Sequence, residues 1–342
     1  MKVPASRWLR RVAVLAGVLL VAGVTGWGAL ALYFAGPGPI GERAGLAGVW
    51  GAIGLIALYS LARRRVRKRN LAVFAVAGAV LAGWWRTIEP SNVQDWRPEV
   101  AVLAHATFHG DLVTVHDVRN FDYRTDTDFT RAYYDRTFDL RRLDAVDLIA
   151  CYWMGPAIAH IFLSFGFGDE HLAISIEARK ERREGYSTLG GLFKQYELIY
   201  VVGDERDLIR LRTNYRKDPP EDVYLYRLRG ALDGARRLFV EYLKTVNQLR
   251  ERPAFYDTIS ANCTNTILLH ARVNPGSLPF SWKILLSGYT PEYAWEGGRL
   301  DRGVPFEELK SRSRINDAAR AADRSPDFSR RIRAHLETRA PR

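Results

Sequence analysis

Three apolar stretches open the chain, at residues 12–35, 44–62 and 70–86. A helix needs roughly 20 apolar residues to cross the hydrocarbon core of a bilayer, so the first two stretches are long enough and the third is short. We predict a membrane domain over residues 1–88 that contains three transmembrane helices.

Basic residues flank the apolar stretches and predict an orientation. Arg7, Arg10 and Arg11 precede the first stretch, and the run RRRVRKR at 63–69 separates the second from the third. The positive-inside rule places both groups in the cytoplasm. A cleaved signal peptide is the less favoured interpretation, because the first stretch is long and further apolar stretches follow. We therefore predict a multi-pass protein of the bacterial inner membrane with a cytoplasmic N terminus and a periplasmic domain after the third crossing.

Nearly all of the net charge belongs to the membrane segment. The whole chain has a formal net charge of +12, and residues 1–86 contain twelve basic residues against one acidic residue. The remainder is almost neutral. A nucleic-acid-binding domain needs a basic face, so we expect no nucleic-acid partner.

The pattern after a short linker at 89–97 predicts one extracytoplasmic α+β domain at 98–324 and a loosely held basic tail at 325–342. Alternation of apolar and polar positions predicts strands, and a helical period predicts helices. The predicted strands are 101–108, 111–116, 160–167, 171–179, 197–203 and 222–227, the predicted helices are 232–249, 264–272, 282–293 and 306–323, and an extended loop is predicted at 120–139.

A cysteine at the start of a predicted helix is the first candidate for chemistry. Asn262 precedes Cys263, and asparagine is a favourable N-cap. Backbone N–H groups converge at a helix N terminus, and the helix dipole favours negative charge there. We therefore expect the thiol to be biased toward the nucleophilic thiolate.

A predicted hairpin supplies a base for this thiol. The turn Gly168-Asp169 joins two alternating strands that place His160 and Glu177 across from each other. A carboxylate in that position orients an imidazole and stabilises its cationic form. His171 is a second candidate base, although it follows a turn where an exposed histidine is the simpler interpretation.

Several stretches resemble one known family. They are AHIFLSFGFGDEHLAISIEARKE, KQYELIYVVGDERDLIRLRTN, VYLYRLRG, FYDTISANCTNTIL and VRNFDYRT. They are similar to the Lnb N-terminal periplasmic domain family over about residues 96–316, with NCTN and SIEARKE as the most specific parts. The resemblance implies a papain-like, permuted cysteine-enzyme domain, with an antiparallel sheet and flanking helices, related to lipoprotein N-acyltransferases. Members that resemble the acyltransferase carry their spans after this domain, whereas here the apolar stretches precede it.

The resemblance also assigns roles to residues. It implies Cys263 as the nucleophile, His160 as the base and Glu177 as the group that orients the base. Backbone N–H groups at Cys263 and Thr264 are the expected oxyanion donors. Asn262, Thr264 and Ser164 are expected to support the site.

The implied function is a thiol acyltransferase that moves an acyl chain from a lipid ester, through a Cys263 thioester, to an amine such as a lipoprotein N terminus. The expected partners are membrane lipids and lipoproteins, with no cofactor and no metal. Two alternatives stay open: a cell-wall peptide amidase or peptidase on the same triad, and a catalytically inactive membrane-bound binding domain. The oligomeric state is not predicted.

Two other groups of residues are candidates for a disulfide or a metal site. Cys151 lies in an apolar run and reads as a core residue, although a Cys151–Cys263 disulfide is the alternative outside the cytoplasm. His105, His109 and His116 invite a metal site, but their strand parity does not match and no second cysteine is near. We interpret these histidines as solvated or core residues.

Overall fold

The structure, a computed structural model, describes residues 5–63 and 67–337. It divides into two compact units. The first contains Met1–Ser91 together with Tyr186–Gln195, and the second contains Asn92–Gly185 and Tyr196–Arg342.

The first unit is built from three helices, α1 (Ala5–Ala35), α2 (Ile40–Ala62) and α3 (Arg67–Thr87). Two segments are long and apolar enough to cross a membrane, Arg11–Ala35 and Ile40–Ala62. The prediction of three spans was therefore wrong. The basic first turn of α3 leaves an apolar remainder shorter than the roughly 20 residues that a span requires.

Without the third span the predicted orientation is no longer supported, because it depended on an odd number of membrane crossings. Residues 64–66 of the basic run and the side chains of Arg7 and Arg10 lie outside the described residues.

A segment that is distant in sequence completes the first unit. Phe193 stacks on Phe34 with ring centroids 5.9 Å apart. Lys194 donates hydrogen bonds to the carbonyl oxygens of Trp85 and Ile88, at 3.0 and 3.1 Å. The hydrophobic pattern did not predict this association.

The second unit contains a mixed sheet in the order β1-β2-β9-β8-β7-β6-β10. Its pairs are antiparallel except for β2 with β9, which is parallel, so the predicted antiparallel sheet is corrected to a mixed one. β5 pairs with β2 beside this path, and β3 and β4 form a separate small sheet. The strands are β1 (His105–His109), β2 (Leu112–Arg119), β3 (Asp122–Tyr123), β4 (Phe129–Thr130), β5 (Tyr133–Asp139), β6 (Ala145–Tyr152), β7 (Ala159–Phe167), β8 (Glu170–Arg179), β9 (Glu197–Asp204) and β10 (Asp222–Arg227).

Two features of the sheet differ from the predictions. The segment 120–139 is not one extended loop, because it contains β3, β4 and β5. Every residue of the inner strand β6 is buried, so its sequence shows no alternation. A strand covered on both faces reads as a continuous apolar run, which is why β6 was not predicted.

Helices cover both faces of the sheet. On one face, α5 packs Phe239, Tyr242 and Leu243 into the larger core. On the other face, Leu208 and Phe328 belong to a second core. The predicted helices 282–293 and 306–323 are each broken into shorter pieces. The helices of this unit are α4 (Glu205–Arg210), which continues into a π-helical turn (Leu211–Tyr215), α5 (Leu232–Glu251), α6 (Cys263–Ala271), α7 (Trp282–Leu285), α8 (Thr290–Glu296), α9 (Phe306–Arg312), α10 (Asn316–Ala321), α11 (Phe328–Arg331) and α12 (Ala334–Glu337).

Residues 325–337 are anchored in the domain and not loosely held as predicted, and residues 338–342 of the predicted tail lie outside the described residues. Phe328 and Ile332 are fully buried. Arg333 donates to Asp147 at 2.8 Å and to both oxygens of Glu205, at 2.5 and 2.8 Å. Burial raises the pKa of Glu205, but the charge and hydrogen bonds of Arg333 outweigh it and lower that pKa to about 2. The basic composition of the tail suggested a solvated segment, whereas one of its arginines pairs with two buried carboxylates.

Replacing Arg333 with Met should destabilise the second unit by about 3–5 kcal/mol, because removing one partner leaves the buried Glu205 carboxylate without the cation that pairs with it. Urea unfolding of the full chain in detergent measures this effect. Arg331→Met is the matched control, since Arg331 is exposed and pairs only with Asp327 in the described contacts. Equal stability of the two variants would contradict the role given to Arg333.

Candidate active site

Cys263 occupies the first position of α6, as predicted. The Asn262 side chain caps the helix by accepting a hydrogen bond from the Asn265 N–H at 2.9 Å. The same side chain donates to the carbonyl oxygen of Thr258 at 2.7 Å. Thr264 is buried and donates its hydroxyl to the carbonyl oxygen of Ile284 at 2.8 Å. Asn262 and Thr264 therefore fix the helix end that carries the thiol.

The sulfur is surrounded by backbone donors. The N–H groups of Ile161, Thr264 and Cys263 itself interact with it. Burial nevertheless raises the pKa of the Cys263 thiol above its ordinary value, and the nearby Glu177 carboxylate acts in the same direction. The expected bias toward thiolate is therefore corrected, because desolvation outweighs the helix N terminus. The resting nucleophile is a neutral thiol.

The β7–β8 hairpin forms as predicted and brings His160 and Glu177 together. Its hydrogen-bonded register ends at the pair Leu163 and Ile174, and extending the register by three residues places His160 opposite Glu177. His160 Nε2 lies 3.7 Å from Glu177 Oε1.

Ser175 bridges the imidazole and the carboxylate. Its Oγ donates to Glu177 Oε1 at 2.8 Å and lies 2.6 Å from His160 Nε2. Because the single hydroxyl proton goes to the carboxylate, the serine must accept from Nε2–H. The proton of the neutral ring is therefore on Nε2, which leaves Nδ1 as the basic nitrogen. Among the described residues, none forms a hydrogen bond with Nδ1. The sequence had suggested only a packing or ladder role for Ser175.

Buried charges hold Glu177 in place. Arg212 donates to Glu177 Oε1 at 2.9 Å and lies 3.5 Å from Glu221. Burial and the Arg212 charge lower the pKa of His160 to about 3, although Glu177 opposes them. Burial raises the pKa of Glu177, but the charges of Arg212 and His160 outweigh it and keep that pKa well below its usual range. The site thus combines a neutral imidazole with an ionised carboxylate.

The Cys263 sulfur interacts with the backbone of β7, the strand that carries His160. The amide that reaches the sulfur belongs to Ile161, the residue that follows His160 in β7. No sulfur–imidazole hydrogen bond occurs within the part of the chain that the structure describes. In the resting state the thiol and the imidazole are both neutral.

Two predicted residues lie elsewhere. Ser164 donates to Glu205 Oε1 at 2.5 Å and belongs to the Arg333 network, so it does not support the Cys263 site. His171 pairs with Gly166 near the turn of the hairpin, at the opposite end from His160.

The other cysteine does not cross-link the nucleophile. Cys151 and Cys263 are both free, which excludes the disulfide alternative. Cys151 lies opposite His160 in the β6–β7 register and is fully buried. Burial raises the pKa of its thiol strongly, as expected of a core cysteine.

Two of the three histidines that were candidate metal ligands stack on each other. The rings of His105 and His116 are 4.4 Å apart, and His116 Nδ1 lies 2.7 Å from Asp135. Over residues 5–63 and 67–337, no group of three candidate ligands forms a metal site.

Residues 129–288 match the model of the Lnb N-terminal periplasmic domain family. The region that carries Cys263, His160 and Glu177 therefore belongs to this family, which confirms the resemblance recognised in the sequence. No curated protein and no solved structure matches the chain. A periplasmic domain together with two apolar N-terminal helices fits a membrane-anchored protein.

The state of His160 can be measured by NMR of the full chain in detergent, labelled with ¹⁵N-histidine. We expect one neutral tautomer with its proton on Nε2 that persists from pH 8 to pH 5, because the lowered pKa keeps the ring neutral as pH falls below 6.5. Ser175→Ala should relax the tautomer preference. A titration midpoint near 6.5 in the unsubstituted protein would disagree with this description.

Alkylation measures the state of the thiol. Iodoacetamide should label Cys263 more slowly than a free thiol at pH 8, and the rate should rise at a higher pH than for a free thiol, because the pKa of Cys263 is raised. Cys263→Ser should abolish native-state labelling, and Cys151→Ser should leave it unchanged. Rapid labelling at pH 7 would show that the resting sulfur is already ionised.

Proposed function

We propose that this chain is a membrane-anchored periplasmic thiol acyltransferase of the bacterial inner membrane. The observation that carries the proposal is the position of the Cys263 sulfur, at a helix N terminus and in contact with the amide that follows His160. The hydrogen bonds of Ser175 with His160 Nε2 and with Glu177 leave Nδ1 as the unprotonated nitrogen of the imidazole. In this proposal Cys263 is the nucleophile, His160 the base and Glu177 the orienting group of a thiol acyl transfer.

The chemistry begins from neutral partners. The Cys263 sulfur attacks the carbonyl carbon of a lipid ester while its proton passes to His160 Nδ1. The ester C–O bond breaks, and the departing alcohol takes that proton, which leaves a thioester on Cys263. An amine, such as the N terminus of a lipoprotein, then attacks the thioester, an amide forms, and the sulfur regains a proton.

Backbone N–H groups suit the charge that develops in these steps. The amides of Cys263 and Thr264 already face the sulfur in the resting state. An oxyanion beside the sulfur would accept from such donors without reorganisation of the helix end, which Asn262 and Thr264 hold in place.

An exposed apolar surface supports a lipid as the donor. Phe280, Trp282, Leu285 and Leu286 are each 40–56% exposed. They flank Ile284, whose carbonyl oxygen accepts the hydrogen bond from Thr264 next to the nucleophile. Clustered exposed aromatic and aliphatic side chains are typical of surfaces that meet a membrane or an apolar partner. A peptide hydrolase gains nothing from such a surface.

Incubating the full chain with phospholipid vesicles and measuring the intact mass tests the reaction. We expect a fatty-acyl gain on the peptide that contains Cys263, and transfer to a dipalmitoylated lipopeptide amine. Cys263→Ala should lower the transfer rate by about 10⁴-fold or more, because it removes the nucleophile. Cys151→Ala is the matched control and should keep the activity.

A muropeptide incubated in parallel separates the alternatives. Cleavage of the muropeptide without acylation of Cys263 would favour an amidase or peptidase function. Failure of both substrates with a properly folded protein would favour a binding domain.

A further inference from the structure

A cavity of about 400 Å³ lies inside the second unit, along the helix that carries the nucleophile. Thr264, Ile267, Leu268 and Ala271 of α6 all line it. These positions follow the i, i+3, i+4, i+7 spacing, so they form one face of the helix over its whole length. From Thr264 to Ala271 this face extends about 10 Å.

The walls opposite α6 are apolar. They include Val146 and Leu148 of β6, Leu163 of β7 and Leu238 of α5. A cavity lined in this way holds water poorly and binds apolar ligands well. Its size lies within the range of ligand-binding pockets.

The two ends of the cavity differ. One end is lined by Thr264 and Ile284, which are hydrogen-bonded to each other directly beside Cys263. The other end lies beyond the C terminus of α6. There Arg237 donates to Asn274 at 2.9 Å, and Arg299 donates to the carbonyl oxygen of Gly276. Cys263 does not itself line the cavity, whose wall at this end begins at the next residue, Thr264, and whose other end has charged side chains.

We propose that this cavity binds the fatty acyl chain of the Cys263 thioester. The carboxyl carbon lies at the sulfur, and the hydrocarbon runs along α6 toward the arginine end. This inference rests on the proposed acyltransferase function and adds the chemical class of the bound group. Chain lengths that fit the cavity are favoured, because each buried methylene improves binding about fourfold. Longer chains reach charged groups and gain less.

A photolabelling experiment tests the cavity without requiring catalysis. Full-length Cys263→Ala protein is irradiated with diazirine-tagged palmitic acid, and the labelled peptides are identified by mass spectrometry. We expect labels on α5, α6 and residues 278–284, and unlabelled palmitate should compete for them. Ile267→Trp, which fills the cavity, should reduce labelling at least tenfold. Leu269→Trp is the matched control, because Leu269 is exposed on the same helix and does not line the cavity.

Chain-length selectivity gives the second measurement. In the unsubstituted protein, Cys263 acylation by p-nitrophenyl esters should increase from butyrate to longer acyl groups. Ile267→Trp should abolish that increase, and Leu269→Trp should leave it unchanged. Thermal unfolding checks that both tryptophan variants fold, and Ala271→Leu repeats the test with a smaller change if Ile267→Trp does not.

The outcomes separate the cavity from the reaction. If the cavity residues are photolabelled but no ester acylates Cys263, the acyltransferase function is refuted and the cavity remains a hydrocarbon-binding site. Acylation without chain-length preference, together with labelling that Ile267→Trp does not alter, would overturn the cavity proposal and leave the reaction standing.

Discussion

The site depends on the point at which β7 and β8 stop pairing. Their hydrogen-bonded register ends at Leu163 and Ile174, so the preceding residues of β7 have no ladder partner in β8. The amide of Ile161 is therefore available to the Cys263 sulfur. The same separation leaves room for Ser175 to lie between His160 and Glu177. A fully paired hairpin would satisfy these backbone groups internally and would exclude the helix end.

Buried ion pairs hold the sheet at both ends of this hairpin. Arg212 fixes Glu177 near the nucleophile, and Arg333 fixes Glu205 at the other end. Buried charges are costly unless each is paired and hydrogen-bonded, so both arginines constrain the geometry around them strongly. The first network sets the charge state of the candidate base. The second brings the C-terminal helices onto the sheet.

Local sequence patterns predicted the elements that obey a simple period or a capping rule. The β7–β8 hairpin follows from alternation and its turn, and the start of α6 follows from Asn262. The pairing of His160 with Glu177 then follows from register alone. Ser175 was not recognised as part of the site, because a serine on a strand has no distinguishing signal in a single sequence.

Other features of the structure could not be predicted from the sequence, for physical reasons. Strand β6, next to the edge strand β10, is buried on both faces and has no alternation to detect. The thiol was expected to ionise because the helix N terminus is visible in the sequence, whereas its burial depends on the tertiary fold. Arg333 likewise finds Asp147 and Glu205 through contacts more than a hundred residues apart in the chain.

The neutral resting state of Cys263 has a consequence for where such a domain can work. The periplasm is an oxidising compartment, in which exposed thiolates are converted to disulfides or sulfenic acids. A half-buried sulfur that keeps its proton reacts slowly with oxidants, and the other cysteine is sealed in the core. Burial therefore protects the Cys263 thiol from oxidation in such a compartment.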